Sequence, residues 1–268
     1  MTSNPFRRAI GGAADRLRHA PRRRREPLPG GAERFGIERD LRVIFQPVID
    51  LRDHSVTGVE ALARFGDDEG ASPRPWFSRA WEEGHGPDLE LCSAVAALEA
   101  SAALPNDVYL AVNLSAATAL DRRVRALVDS SPRQLVIEIT EHEVVEDYPT
   151  LDRAVSLLRS AGGSIAVDDA GAGWASLRHI LELRPEIIKL DISLTRRVAT
   201  ELQTRAMTAA LVRFAADVES TIVAEGVETP AQARALRDLG VTHGQGFGLG
   251  RPGPLVEILE RQVDLTDW

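Results

Sequence analysis

The 268-residue chain has one cysteine, Cys92, and one lysine, Lys189. A lone thiol excludes a disulfide framework and a cysteine-built metal cluster, and it fits a cytosolic chain. No run of about 18 apolar residues occurs, which argues against a membrane span. Nor does an apolar stretch follow the positively charged start, Met1 to Arg8, to serve as a signal sequence. The lysine scarcity is of a different kind, because every other basic side chain is Arg. Lys differs from Arg in having a compact charge and a tunable pKa, so position 189 either needs that chemistry or reflects codon bias.

Charge is unevenly spread. Of the 32 basic and 40 acidic residues, residues 1–35 hold nine and three, which leaves a body at −14 behind a tail at +6. An acidic body argues against a nucleic-acid groove or duplex partner, since phosphate neutralisation needs a basic face. It fits instead a carboxylate-lined site that expects a divalent cation. Residues 1–37, with Arg22 to Arg25 followed by Pro27, Pro29, Gly30 and Gly31, read as a basic disordered tail. Its role is that of a linker, or a loose tether to an acidic partner or an anionic membrane surface. The remainder, 38–268, is expected to form one large domain.

From Leu41 the chain alternates strand and helix signals. Apolar runs at 43–50 and 55–64 are joined by the short turn Arg52-Asp53-His54, too short for a parallel crossover, so these two strands should pair antiparallel. Helices are expected at 76–84 and 89–102, and strands at 108–114 and 135–140. The pattern then repeats, with helix 149–161, strand 164–168, helix 174–182, strand 186–190, helix 195–217, strand 220–224, helix 230–238, strand 241–244 and helix 254–262. Such alternation implies a parallel sheet covered by helices. Eight strands in this length point to an α/β fold, a TIM-like (β/α)8 barrel with an antiparallel first strand. An open doubly wound sheet is the alternative, but no Gly-rich dinucleotide fingerprint follows any strand.

Near the carboxyl ends of these strands stand Glu60, Asn113, Glu138, Asp168 with Asp169, Lys189 and Glu225. Each interrupts or ends an apolar run, and in a closed barrel they would converge on one mouth. Asp is also common in turns and caps, so the Asp168-Asp169 pair alone decides nothing. Five converging carboxylates, however, cannot all stay ionised without compensation. Oxygen ligands with an amide among them, and no His, fit Mg²⁺ or Mn²⁺ rather than zinc. Two such cations bridged by one aspartate are suited to phosphodiester hydrolysis. A Schiff-base role for Lys189, as in an aldolase-like barrel, is the competing chemistry, and the surrounding carboxylates weigh against it.

Several stretches taken together resemble the EAL domain family, the bacterial cyclic di-GMP phosphodiesterases. The matching stretches are Phe45-Gln-Pro-Val-Ile-Asp-Leu51, Gly58-Val-Glu-Ala-Leu-Ala-Arg64, Asn113-Leu-Ser115 and Glu138-Ile-Thr-Glu141. They continue with Asp168-Asp-Ala-Gly-Ala-Gly173, Lys189-Leu-Asp191, Ala224-Glu-Gly-Val-Glu-Thr229 and Gly244-Gln-Gly-Phe247. The resemblance spans roughly residues 38–262 and implies metal-dependent hydrolysis of cyclic di-GMP to linear pGpG, with two Mg²⁺ or Mn²⁺ per site. By it, Glu60, Asn113, Glu138 and Asp168 would hold one metal, and Asp168 would bridge to a second with Asp169 beside it. Glu225 would be general base or a ligand through water, and Lys189 would lie next to the nucleophile. Gln46 and Arg64 would contact guanine or phosphate, and Gln245 would help close the site. Glu141, Asp191 and Glu228 would support these groups from behind, Glu141 by holding the double-aspartate loop.

The family also implies a homodimer in which that loop is coupled to the interface. The chain departs from the commonest form at Ala170 and Ala172, where Phe and Thr are usual, and at Phe65, where Trp is usual. The first two changes remove contacts that order the loop. A non-hydrolysing cyclic di-GMP receptor acting through a partner is the alternative, although such receptors usually lack a metal ligand and none is missing here.

Overall fold

The computed structural model describes residues 41–66, 72–139, 145, 147–171 and 174–260. The basic tail, and with it the proposed boundary near residue 37, lies outside these residues, as do Glu141 and Ala172. Eight strands close a barrel in sequence order: β1 Leu41–Asp50, β2 Val56–Phe65, β3 Tyr109–Leu114, β4 Leu135–Ile139, β5 Ser164–Ala170, β6 Ile187–Leu190, β7 Thr221–Ala224 and β8 His243–Gly244. β1 runs antiparallel to both β2 and β8, and the other neighbours are parallel. The short turn 51–53 imposes the first of these pairings, as the sequence implied.

The parallel strands are short and buried on both faces, which is why β4 reads Leu-Val-Ile-Glu-Ile with every residue buried. Side chains alternate along each strand. The outward set packs against the helices in the large apolar cluster, while Val48, Tyr109, Ala111, Val136, Ala166, Ile187 and Val223 form a separate cluster. Those seven residues fill the inside of the barrel. Two residues further along, on the same face, come Asn113 after Ala111, Glu138 after Val136, Asp168 after Ala166, Lys189 after Ile187 and Glu225 after Val223. The apolar plug and the polar mouth are thus successive layers of one period-two pattern. On β2 the equivalent step runs from Gly58 to Glu60. Gly58 leaves room for the Tyr109 ring, since a Cβ there would lie 2.1 Å from the ring's Cζ.

The helices differ from the sequence reading in two places. The expected helix 195–217 is two helices, Ile192–Arg197 and Leu202–Asp217, with Asp191 and Glu201 at their N-caps. The carbonyl of Arg197 accepts from both Thr200 and Glu201 N–H groups, which closes the turn between them. Between β3 and β4 lie two further short helices, Ala116–Ala119 and Arg122–Ser130. Their starts are marked by Ser115 and Asp121, whose side chains accept from Thr118 and Arg123 N–H groups. Among the described residues, no helix is long and apolar enough to cross a membrane.

Candidate active site

β5 delivers its two aspartates through a local irregularity. Its pairing with β6 shifts between Val167 and Ala170, so Asp168 and Asp169 occupy a bulge. Asp169 has φ +55, a left-handed conformation uncommon for a residue with a side chain, and its N–H donates to Asp168 Oδ1 at 3.0 Å. A bulge of this kind re-aims side chains at the rim of a barrel. It also explains why β5 extends to Ala170, which is fully buried, pairs with Leu190 and accepts from the Asp191 N–H. Asp168, Asp169 and Glu225 each present a carboxylate oxygen within 4.8 Å of the other two.

Lys189 stands at the centre of the mouth and is only 2% exposed. Its Nζ donates to Glu138 at 2.8 Å and Glu60 at 3.2 Å, and it lies 2.9 Å from Glu225 and 3.6 Å from Asp168. Burial opposes its charge, yet Asp168, Glu138, Glu225 and Glu60 together hold the ammonium well above its ordinary pKa. One positive charge cannot balance four carboxylates. Burial accordingly pushes Glu138 well up, with Glu60 and Asp168 adding to the effect and Lys189 opposing it. Burial likewise pushes Glu225 up to about 8 against the pull of Lys189. Glu60 is the exception. Burial disfavours its charge too, but Lys189, Asn113 and Gln245 more than compensate and keep its carboxyl low. The surplus negative charge and the all-oxygen donor set suit a divalent hard cation.

An amide relay flanks this cluster. Asn113 donates to Glu60 at 2.7 Å, and Gln245 Nε2 donates to Glu60 at 2.8 Å and to Gln46 Oε1 at 3.1 Å. Gln46 in turn donates to the carbonyl of Gly250 at 3.0 Å. Both ends of the Gln46 amide are therefore engaged within the protein, whereas the buried Gln245 Oε1 has no hydrogen-bond partner among the described residues.

The other candidates are placed less centrally. Arg64, partly buried, donates to the carbonyl of Ala63, and with Asn113 it borders a cavity of about 460 Å³ that also touches Leu62, Phe77, Trp81 and Glu90. Asp191 caps its helix by accepting from Ser193 N–H at 2.9 Å. Glu228 is exposed, and its N–H donates to Gln232 at 2.8 Å. The structure thus gathers Glu60, Asn113, Glu138, Asp168, Asp169, Lys189, Glu225 and Gln245, and leaves Glu228 at the periphery.

One structural contributor was not singled out from the sequence. Glu90, buried on helix Gly86–Ala100, accepts from Trp81 Nε1 at 3.0 Å and from Ser115 N–H at 2.8 Å, tying that helix to the end of β3. Its only signal was an acidic residue set between Leu89 and Leu91 in an Ala/Leu-rich helix. Phe65, at the other departure, stacks on Trp76 with centroids 5.1 Å apart and meets Phe77 edge-on.

The family model described as EAL domain matches residues 33–252. Among curated relatives, the chain is 29% identical over 233 residues to "Probable cyclic di-GMP phosphodiesterase PdeB" of Escherichia coli, covering 82% of this chain and 44% of that protein. It spans less than half the length of the first curated relatives it matches. Among solved structures, it is similar to the PaMucR phosphodiesterase in complex with c-di-GMP, at 28% identity and TM-score 0.72, covering 82% of this chain and 94% of that one. A manganese/cy-diGMP complex of BlrP1 from Klebsiella pneumoniae matches at 30% identity and TM-score 0.72, covering 85% and 57% respectively.

Proposed function

The chain belongs to the EAL domain family, and from that membership together with the geometry of the mouth we propose that it hydrolyses cyclic di-GMP to linear pGpG with divalent metal. The observation that carries the reading is the ring of carboxylates around Lys189 with the trio Asp168, Asp169 and Glu225 beside it. Glu60, Asn113, Glu138 and Asp168 would hold one Mg²⁺ or Mn²⁺, and Asp168 with Asp169 a second. Bound there, the cations would lower the pKa of water and stabilise charge on the attacking and leaving oxygens.

The chain's own residues do the rest. Lys189 fixes the rotamers of Glu60, Glu138 and Glu225 and neutralises part of their charge. Glu225 receives the proton of the attacking water, a task that suits a carboxylate raised by burial. Arg64 offers a planar guanidinium to a substrate phosphate. Gln245, with one amide end on Glu60 and Gln46 and the other unpaired, closes the site over the substrate.

Purified protein incubated with Mn²⁺ or Mg²⁺ and cyclic di-GMP is expected to yield pGpG by chromatography, and Glu225→Gln to lose at least a hundredfold in rate. Tight binding of cyclic di-GMP without turnover in saturating metal would instead mark a receptor. A homodimer is part of the same proposal. Leu181 is 62% exposed on helix Trp174–Leu183, directly after the double-aspartate loop, and fits burial in a second copy. Sedimentation showing a fully active monomer would remove that part.

A further inference from the structure

β2 and β3 part at the mouth of the barrel. Their pairing ends with Ala61 opposite Val112, after which β2 continues along β1 and β3 along β4, with Asn113 opposite Glu138 and Leu114 opposite Ile139. The cavity of about 460 Å³ lies between the parted ends, with Ala61 and Ala63 on one wall and Val112 and Leu114 on the other. Asn113 therefore stands on a strand end that the ladder supports from one side.

Glu90 supports it from the other. Its Oε2 accepts the backbone N–H of Ser115 at 2.8 Å, and its Oε1 accepts Trp81 Nε1 at 3.0 Å. Glu90 and Ser115 are both buried, so a bond lost there has no bulk water as a ready substitute. The indole that orients the carboxylate is itself seated. A Cβ at Gly86 would lie 2.2 Å from Trp81 Cδ2, so the glycine that opens helix Gly86–Ala100 makes room for the ring. Trp81, Glu90 and Ser115 thus link helix Arg74–Glu82 to the residue two places beyond Asn113. On the mouth side the Asn113 amide nitrogen donates to Glu60 at 2.7 Å, which leaves the amide oxygen as the donor atom for a hard cation.

We propose that Glu90 is a positioning residue for metal binding: through the Ser115 N–H it holds the end of β3 so that the Asn113 amide oxygen keeps its place in the donor set. The inference rests on the phosphodiesterase reading, in which Asn113 is a metal ligand, and adds to it a carboxylate that touches neither cation nor substrate. Altering a residue that orients a ligand from behind changes metal affinity by about 10- to 100-fold.

The test is titration calorimetry with Mn²⁺ on metal-free wild type, Glu90→Gln and the double variant Trp81→Phe/Glu90→Gln, alongside metal-free melting temperatures. In Glu90→Gln the new amide nitrogen must face either the Ser115 N–H or the Trp81 indole N–H, so a donor meets a donor. Mn²⁺ affinity is expected to fall about tenfold, and the rate with cyclic di-GMP to fall at limiting Mn²⁺ and recover as Mn²⁺ is raised. Adding Trp81→Phe removes the competing donor, frees the Gln oxygen to accept the Ser115 N–H, and is expected to restore most of the lost affinity. A carboxylate that merely props its helix would lower the melting temperature of both variants and leave Mn²⁺ affinity unmoved. If Glu90→Gln binds Mn²⁺ as wild type does, or if the double variant binds it as weakly as Glu90→Gln, the positioning role is overturned, while hydrolysis of cyclic di-GMP by wild type keeps the phosphodiesterase reading. If wild type binds no Mn²⁺ and leaves cyclic di-GMP intact, both are overturned.

Discussion

Replacing Lys189 by Met keeps the length and bulk of the side chain and removes its charge. In the wild type the ammonium faces Glu138 at 2.8 Å, Glu225 at 2.9 Å, Glu60 at 3.2 Å and Asp168 at 3.6 Å, with 2% of the side chain exposed. Removing one partner of a buried charge pair costs about 3–5 kcal/mol, because the charge left behind is uncompensated. For a domain of this size each kcal/mol corresponds to about 2–4 °C in Tm, so Lys189→Met should melt roughly 6–20 °C below wild type in EDTA. Mn²⁺ can replace the missing positive charge. Ligand at a hundred times its Kd contributes about 2.7 kcal/mol, so added Mn²⁺ should recover a large part of the loss and stabilise the variant more than it stabilises wild type. The assay is scanning calorimetry of both proteins with EDTA and with Mn²⁺. A variant that melts within 2 °C of wild type in EDTA would refute the idea that Lys189 holds the carboxylate ring together.

Gly58→Ala should destabilise by about 1–3 kcal/mol, because the new methyl would meet the Tyr109 ring at 2.1 Å and force the inner layer of the barrel to shift. Denaturant midpoints check this, and an unchanged midpoint contradicts the packing argument. The fully buried His243 on β8 has its pKa pushed down by burial to about 4, although Asp50 lies 4.0 Å away. Its neutral form is the folded one, so its contribution is present above the unfolded value of about 6.5 and is lost as pH falls towards 4, by up to about 3 kcal/mol. Asp50, kept below the usual carboxylate range by Arg52 despite burial, adds its own loss only at lower pH still. The Tm of His243→Asn should fall less steeply than that of wild type between pH 6.5 and 4, and an equal slope would show that acid acts elsewhere.

Much of the site was legible because a barrel strand is a simple code. Glu138 within Val-Ile-Glu-Ile and Lys189 within Ile-Ile-Lys-Leu are polar interruptions in strands buried on both faces, and the period of two sends them to the same mouth. The turn 51–53 was equally readable, since its length alone forbids a crossover. What escaped depends on contacts between distant elements. No local signal tells that Gln46 has both amide ends engaged by Gln245 and Gly250, some 200 residues away. The bulge at Asp168 and Asp169 is likewise a matter of pairing with β6, which the apolar run 164–167 does not reveal. The break in the expected helix 195–217 lacks Pro or Gly and comes from the turn at Arg197, where hydrogen bonds rather than composition end the helix. At Ala170 the small residue is buried against the core, so its missing ring is no gap in the barrel wall.

On the proposed mechanism the acidic mouth opens one phosphodiester of cyclic di-GMP with a water molecule positioned by these residues. Mass spectrometry of the products formed in H₂¹⁸O with Mn²⁺ tests it most directly. Wild type is expected to give pGpG carrying a single ¹⁸O on its terminal phosphate, and Asp168→Asn to leave the cyclic dinucleotide intact. Recovery of unlabelled cyclic di-GMP from wild type under the same conditions, or labelled pGpG at an undiminished rate from Asp168→Asn, would contradict the account.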